Sequence, residues 1–305
     1  MPDYYVTYRN LALVYFNHLD RAGEALALLR RAVELHKGDA TLLGEIETVM
    51  RKLGATGAEN AAFLEKYKPE ETTDQMQLTL ARTYNAAGEY DMAEKLMRSH
   101  KFSPGEGAEL ITAEPYMFAC FAKGRVALGE DRFEDALGYF RAAQTMPENL
   151  NVGFWNESVL MPYLYFEAVA LEKCGKTEEA EALFERLSSL RDVGMWNMGG
   201  EFVYYYAMSI RQCGDEMRAK SIMRKAILEW ERELHDGCTY HKKIGTLYNC
   251  FVGDGQRNRI AELYAMLGYG DMFNGNIKGA KEKFALSLSY DPTVKVALEL
   301  ELLER

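Results

Sequence analysis

The sequence predicts an all-α solenoid of stacked helical hairpins, and three observations support this fold class. Only 7 prolines occur among 305 residues, and Ala, Leu, Glu and Lys are abundant, a composition that favours helices. A pattern of small, bulky and glycine residues recurs along the chain. Its first copies keep a fixed period, because Ala25 and Ala93 lie 68 residues apart, which is two intervals of 34. Such a period is typical of helical repeat proteins.

The recurring pattern describes one hairpin. A small and a bulky residue lie on the first helix, a Gly follows in the turn, and an Ala and an aromatic or Met lie on the second helix. Small side chains let the helices approach closely, and the turn Gly can adopt the positive φ that ends the first helix. Because no hairpin buries its apolar face alone, the hairpins must stack. The clearest copy comprises Tyr264, Leu267, Gly268, Gly275, Ala280, Phe284, Ser287 and Pro292.

This copy resembles the tetratricopeptide repeat signature at nearly every position, including the closing proline. The resemblance implies a right-handed superhelical solenoid of about seven hairpins with a C-terminal capping helix. A single domain over residues 1–305 is expected. Later signature alanines lie more than 34 residues apart, which predicts either longer helices or long linkers, and two linkers stand out, 99–115 and 146–155. The predicted repeats are 5–38, 40–69, 74–103, 116–148, 160–192, 199–234 and 259–292, and the cap is 293–305.

Two predicted inter-repeat loops, 99–107 and 147–153, carry a further resemblance. They are similar to loops in the C-terminal repeats of a group of large bacterial proteins that place an uncharacterised β-rich domain ahead of the repeats. Some of those proteins are encoded beside sugar-uptake genes, and the group has no assigned activity. Its first loop usually has a Trp-Glu-Gly-Gly-Glu-Gly core, whereas this chain has only Pro104-Gly105-Glu106-Gly107. The resemblance implies either an excised tail or a stand-alone relative, with an association to carbohydrate.

Composition and charge exclude several classes of function. The net charge is −10 and no Lys/Arg-rich run occurs, so the chain is not expected to bind nucleic acid, which requires cations that neutralise phosphates. The N-terminus has no signal-peptide pattern, and no apolar run approaches the length of a membrane span. The 5 cysteines are scattered and odd in number, which does not suit a disulfide framework. We therefore expect a cytoplasmic protein with no membrane partner.

The first helix of each hairpin lines the concave face in repeats of this kind. Its inward positions here carry arginines and aromatic rings, which suit a peptide with carboxylates or a sugar that stacks on rings. The alternative is that these aromatics pack between long helices. The predicted partner-binding residues are Arg82, Asn85, Phe121, Arg125, Tyr165, Glu172, Tyr204, Met208 and Arg211. Loop residues that could contribute to a ligand site are His100, Glu106, Asn149, Trp155 and Trp196.

No catalytic or metal site is predicted. His235, Cys238 and His241 are spaced three apart, but their spacing to Cys250 fits no zinc pattern, so solvated linker residues are expected. His100 and the nearby loop carboxylates are likewise read as solvated or capping rather than as an acid–base pair. No cofactor is predicted.

The function predicted from these observations is a non-catalytic scaffold that binds a peptide segment or an adjacent domain in its groove. The alternative is a carbohydrate-associated binding protein or enzyme subunit with a sugar site formed by repeats and loops. Convergence of Tyr165, Tyr204, Trp155 and Trp196 in one pocket with carboxylates would favour this alternative, and an open, continuous groove would favour a peptide. Self-association as a homodimer through the aromatic surface is a third possibility.

Overall fold

The computed structural model describes residues 4–70, 72–153, 157–190, 200–237 and 255–304. These residues form helices and connecting loops without any strand, which confirms the predicted all-α class. None of the described helices is long and apolar enough to span a membrane. The α-helices are α1 Tyr5–Leu19, α2 Ala22–Leu35, α3 Ala40–Lys52, α4 Gly57–Tyr67, α5 Asp74–Ala86, α6 Tyr90–Ser99, α7 Glu109–Gly129, α8 Phe133–Gln144, α9 Glu157–Lys173, α10 Thr177–Ser188, α11 Gly200–Gln212, α12 Glu216–His235, α13 Gly255–Phe273, α14 Ile277–Tyr290 and α15 Val294–Glu304.

Three-residue turns join the helices of the later hairpins, namely α5 to α6, α7 to α8, α9 to α10, α11 to α12 and α13 to α14. The middle residue of each turn has a positive φ. In four turns it is the predicted glycine, and φ lies between 74° and 85° at Gly88, Gly175, Gly214 and Gly275. In the turn between α7 and α8 it is Asp131, with φ 57°. Asp tolerates the left-handed region better than most side chains, so the hairpin forms without the glycine.

Two first-helix glycines confirm that small residues set the spacing within a hairpin. A Cβ at Gly124 would lie 2.5 Å from the ring of Phe140, and one at Gly268 would lie 2.5 Å from the ring of Phe284. Real Cβ atoms do not approach other atoms so closely, so only Gly lets each aromatic ring pack against the facing helix. The signature alanines Ala136 and Ala280 on the second helices are fully buried.

The predicted linker 99–115 is too long. Helix α6 ends at Ser99 and α7 begins at Glu109, so Pro115 lies inside α7. Proline has no N–H, and the carbonyl of Ile111 therefore lacks its normal helical donor. The guanidinium of Arg82, on α5, donates to this carbonyl at 2.8 Å. A donor from a neighbouring hairpin thus replaces the missing backbone bond and lets the helix continue through the proline.

The second predicted linker, 146–155, contains a 3₁₀ turn at Glu148–Leu150, and Trp155 at its end lies outside the described residues.

The chain divides into two compact units. Unit 1 includes Met1–Tyr116 and Pro147–Val152, and unit 2 includes Met117–Met146, Gly153–Tyr240 and Gln256–Arg305. The core of unit 1 is mainly aliphatic, with Leu29, Leu42 and Ile46 fully buried. The core of unit 2 is rich in aromatic side chains. That the whole chain forms one continuous solenoid with the repeat boundaries given above stays a prediction.

Candidate partner-binding face

An aromatic layer joins the first helices of unit 2. The ring of Phe121 on α7 packs edge-on against Phe166 on α9, with centroids 5.5 Å apart. Phe166 packs against Tyr205 on α11 at 5.4 Å, and Tyr204 packs against Tyr269 on α13 at 5.3 Å. Each such pair contributes about 0.5–1.5 kcal/mol beyond simple burial. Side chains from α7, α9, α11 and α13 therefore form one connected, rigid surface.

The C-terminal helix α15 is seated on this surface. Its residues Lys295, Leu298 and Glu299 line a pocket together with side chains of all four first helices. Glu299 is only 3% exposed, although it belongs to the last helix of the chain. We call the surface that α15 covers the docking face; it comprises Phe118, Phe121, Arg125, Pro162, Tyr163, Glu201, Tyr205 and Tyr269.

A buried ion pair holds α15 to the docking face. Nη1 of Arg125 donates to Oε1 of Glu299 at 2.6 Å, and Nη2 donates to Oε2 at 3.0 Å. This bidentate geometry is the strongest way in which an arginine binds a carboxylate. The guanidinium also lies 4.1 Å from the centroid of the Phe166 ring, a distance suited to a cation–π contact. The Tyr205 hydroxyl donates a third hydrogen bond, 3.3 Å long, to Oε1 of Glu299.

The protonation states favour this pair. Burial alone would lower the pKa of Arg125, but the charge of Glu299 and its hydrogen bonds outweigh that effect and raise the pKa of Arg125. Burial and the negative charge of Glu299 raise the pKa of Tyr205 well above its usual value, and the same two causes raise the pKa of Tyr269. Arg125 therefore stays charged and the two phenols stay protonated at neutral pH.

A second, weaker ion pair supports the same helix. Nζ of Lys295 lies 3.0 Å from Oε1 of Glu201 on α11, and the Lys295 side chain is 45% exposed. Exposed pairs of this kind contribute about 0–1 kcal/mol. Lys295 and Glu299 are one helical turn apart, so both point from α15 towards the docking face.

A small pocket with about 20 Å³ of open space lies between α15 and the docking face, which is room for about one water molecule. Its apolar walls are Phe118, Phe121, Pro162 and Tyr163 from α7 and α9. Leu298 of α15 also lines this pocket and is only 3% exposed.

In unit 2, the sequence-predicted aromatics are buried. Phe121, Tyr165 and Tyr204 are each less than 9% exposed, so they pack between helices, which is the alternative that the sequence left open. Arg125 is buried against Glu299 as described. Glu172 is exposed and Met208 is half-buried.

Arg211 is bound within the protein as well. It donates to the carbonyl of Phe273, the last residue of α13, at 3.0 Å, and its guanidinium lies 3.7 Å from the centroid of the Phe273 ring. It also pairs with Glu216 at the start of α12. Arg211 therefore stabilises the C-terminus of a neighbouring helix.

The two predicted binding residues of unit 1 also make structural contacts. Arg82 donates to the Ile111 carbonyl, and its Nε lies 3.4 Å from Oε2 of Glu114. Asn85 is buried, and its side-chain amide donates to the carbonyl of Pro115 at 2.9 Å. Both side chains therefore support the proline-containing start of α7.

The loop candidates His100 and Asn149 tie two loops of unit 1 together. The side-chain amide of Asn149 donates to the carbonyls of Met97 and His100 at 2.7 and 2.6 Å. The backbone carbonyl of Asn149 accepts a 2.8 Å hydrogen bond from the backbone N–H of Phe102. Nε2 of His100 lies 2.6 Å from Oδ1 of Asp74. The two loops that carry the bacterial resemblance are thus in contact.

The remaining loop and metal candidates are either exposed or outside the part of the chain that the structure describes. Glu106 is exposed to solvent. Trp155 and Trp196 lie outside the described residues, as do Cys238 and His241 of the metal hypothesis. Among the residues that the structure describes, no group of three or more His, Cys, Asp or Glu side chains could hold a metal ion.

Glu299 is the residue of this face that the sequence did not single out. With Glu301 and Glu304 it was expected only as one of the charged residues of the capping helix. A signal was nevertheless present, because Val296, Leu300 and Leu303 recur at helical spacing and Glu299 falls within that apolar stripe. A carboxylate inside such a stripe requires a buried partner.

Comparison with known proteins agrees with the repeat architecture. The tetratricopeptide repeat family profile matches residues 77–99, which span most of α5 and α6, and this confirms the resemblance predicted from the sequence. The described part of the chain is therefore all-α, and its segment 77–99 is similar to a tetratricopeptide repeat.

Three solved structures resemble it at low identity. A tetratricopeptide repeat protein from Parabacteroides merdae aligns over 99% of both chains at 15% identity and a TM-score of 0.45. A structure of Naa15/Naa10 bound to HypK-THB aligns over 95% of this chain and 54% of that one, at 12% identity and a TM-score of 0.40. A human IFIT1 dimer with m7Gppp-AAAA aligns over 95% and 62%, at 14% identity and a TM-score of 0.39. All three TM-scores lie below 0.5, and none of these proteins indicates what this chain binds.

Proposed function

We propose that this chain is a non-catalytic protein-interaction scaffold whose docking face receives a helical segment that carries a carboxylate. One observation carries the proposal: helix α15 of this chain already lies on the docking face, and its Glu299 carboxylate accepts hydrogen bonds from Nη1 and Nη2 of Arg125. The surface is therefore complementary to such a segment. Tetratricopeptide repeats in general mediate protein–protein interactions, which agrees with the repeat at 77–99.

The construction of the docking face suits binding with little loss of entropy. Arg125 is held in place by the rings of Phe121 and Phe166, so its guanidinium is oriented before a carboxylate arrives. A ligand that meets preorganised groups loses less free energy in ordering them. The adjacent aromatic walls supply apolar area, and aromatic and arginine side chains are the most frequent contributors of binding energy in protein interfaces.

The ionisable groups of this face suit the binding of a carboxylate. Arg125 is held in its charged form, and the raised pKa values of Tyr205 and Tyr269 keep these phenols protonated.

We do not propose the carbohydrate-binding alternative. Convergence of Tyr165, Tyr204, Trp155 and Trp196 in one pocket with carboxylates would favour it. The pocket on the docking face is lined by Tyr163, Tyr205 and Tyr269, and Trp155 and Trp196 lie outside the described residues.

A peptide-display selection tests the proposal. Random 15-residue peptides are selected against the immobilised full-length chain and, in parallel, against the Glu299→Gln variant, in which α15 has lost its charged anchor. Selected peptides are then measured by fluorescence anisotropy on an Arg125→Gln variant and on Arg224→Gln, a matched control at an exposed position of α12.

We expect the selected peptides to contain Asp or Glu, and to lose at least about 10-fold in affinity with Arg125→Gln but not with the control, because a charge-assisted hydrogen bond contributes about 1.5–3 kcal/mol. Peptides without carboxylates, or peptides insensitive to Arg125, would refute the proposal.

A further inference from the structure

The helix α15 is covalently attached yet bound like a ligand. The segment 291–293 connects it to α14. Its inner side is buried through Val296, Leu298 and Glu299, while Ala297, Glu301 and Glu304 on its outer side are exposed. An amphipathic helix that lies with one face on a preformed surface is a common form of peptide recognition.

We infer that α15 is an intramolecular ligand that blocks the docking face, and that the partner of this scaffold is a helix with the same spacing of contacts. That spacing is a basic residue, a leucine three positions after it, and a glutamate four positions after it. This inference rests on the proposed function and adds the regulation of the face and the chemistry of its partner.

Each position of the spacing has its own receptor on the docking face. Lys295 pairs with Glu201 at 3.0 Å, and Glu299 binds Arg125. Leu298 lies between them and borders the pocket. Residues three and four positions apart lie on one side of a helix, so a single helical face presents all three contacts.

The shortness of α15 favours its displacement. It has 11 residues, and isolated helices shorter than about 12–15 residues are marginally stable in water. Its helical form therefore depends on docking.

The buried arginine selects among competing helices. Removal of α15 by a helix without a carboxylate would leave Arg125 buried and unpaired, which is strongly unfavourable. A helix that brings its own glutamate exchanges one carboxylate for another and retains the pair. The docking face therefore rejects purely apolar helices, which is a form of specificity obtained by penalising the wrong partner.

Covalent attachment makes α15 a strong competitor. A segment joined by a short connection acts at an effective concentration of order millimolar, so a peptide added in solution must overcome that advantage. Weakening α15 within the chain should consequently raise the affinity of the same peptide added from outside.

The test uses a fluorescein-labelled synthetic peptide with the sequence of residues 291–305 and the full-length protein, measured by fluorescence anisotropy. The variants are Glu299→Gln, which removes the charged anchor of α15, and Glu304→Gln, which removes the same charge from its exposed side. We expect at least about 10-fold tighter peptide binding to Glu299→Gln than to the wild type, and no change for Glu304→Gln. A peptide that itself carries the Glu299→Gln substitution should bind neither protein.

A second variant guards against a misfolded Glu299→Gln protein, which circular dichroism would detect. Lys295→Glu places a like charge opposite Glu201 and leaves the buried pair intact, so a smaller rise in peptide affinity is expected.

Equal peptide affinities for the wild type and both weakened variants would overturn the inference. The proposed function would survive that result if the affinity still fell with Arg125→Gln, and would fail with it otherwise. Dimers of the wild type that form by exchange of α15 between copies, detected by light scattering, would also overturn the inference of a separate partner.

Discussion

The buried pair between Arg125 and Glu299 allows a quantitative test of how α15 is held. With its two charge centres about 4 Å apart and an effective dielectric constant of about 20, Coulomb's law gives an attraction of about 4 kcal/mol. Desolvation of both groups offsets most of that attraction in the intact pair. Removal of one partner alone leaves the other desolvated and unpaired, which typically costs about 3–5 kcal/mol. Arg125→Met and Glu299→Leu should each destabilise unit 2 by about this amount.

The double variant should behave differently. With both charges replaced by apolar side chains of similar size, no buried charge remains, and we expect its free energy of unfolding to lie within about 1–2 kcal/mol of the wild type. The interaction energy from the double-mutant cycle should then be several kcal/mol. The exposed pair offers a control, because Lys295→Ala should cost less than about 1 kcal/mol.

Urea denaturation provides the assay, followed by fluorescence of the buried Trp230 in unit 2 and by far-UV circular dichroism. Hydrogen exchange should show loss of protection in α15 for each single variant, since undocking of this helix is the easiest way to hydrate an unpaired charge. Single variants that each cost less than 1 kcal/mol, with an interaction energy near zero, would mean that the pair is screened by water. The account of α15 as a tightly seated helix would then be refuted.

Two further predictions concern packing and the proline in α7. Gly268→Ala places a methyl group against the ring of Phe284. The overpacking should outweigh the gain in helix propensity and destabilise the protein by about 1–2 kcal/mol. Gly138→Ala in α8, where an added Cβ meets nothing within 4 Å, should instead stabilise the protein by up to about 1 kcal/mol. Calorimetry would confirm these two predictions if the melting temperature falls for Gly268→Ala and rises for Gly138→Ala, and equal shifts would contradict them. Arg82→Leu removes the donor to the Ile111 carbonyl and should lower the free energy of unfolding by about 1 kcal/mol in urea denaturation, because water can partly replace a side chain that is 44% exposed. Arg82→Lys should cost less. Full stability of the leucine variant would show that the carbonyl needs no side-chain donor.

Local features of the fold were accessible from the sequence. The turn glycine Gly275 and the close-packed Gly268 are determined by neighbouring residues within one hairpin, and a repeated pattern makes such positions visible. Asp131 shows the limit of this rule, because it adopts the left-handed turn conformation without being glycine. A pattern that searches for glycine alone misses a residue that can also meet the backbone requirement.

Long-range contacts were not accessible in the same way. Pro115 predicts a helix boundary by any local rule, and only a donor 33 positions earlier, at Arg82, lets the helix pass through it. The sequence predicted Arg125 as a partner-binding residue of the concave face, but not its intramolecular ion pair. Its partner Glu299 is 174 positions away, and no spacing rule connects residues so far apart.

The retention of charge at the docking face favours a role in selection rather than in stability. An apolar pair at Arg125 and Glu299 would hold α15 at least as firmly, since replacement of buried ion pairs by well-packed apolar residues is often neutral or stabilising. It would also accept any apolar helix of suitable shape. A buried arginine removes that tolerance, because every occupant must supply a carboxylate at one position. The face can then remain closed by α15 in the absence of a partner and still exchange it for a helix of matching chemistry, which is the behaviour expected of a regulated scaffold.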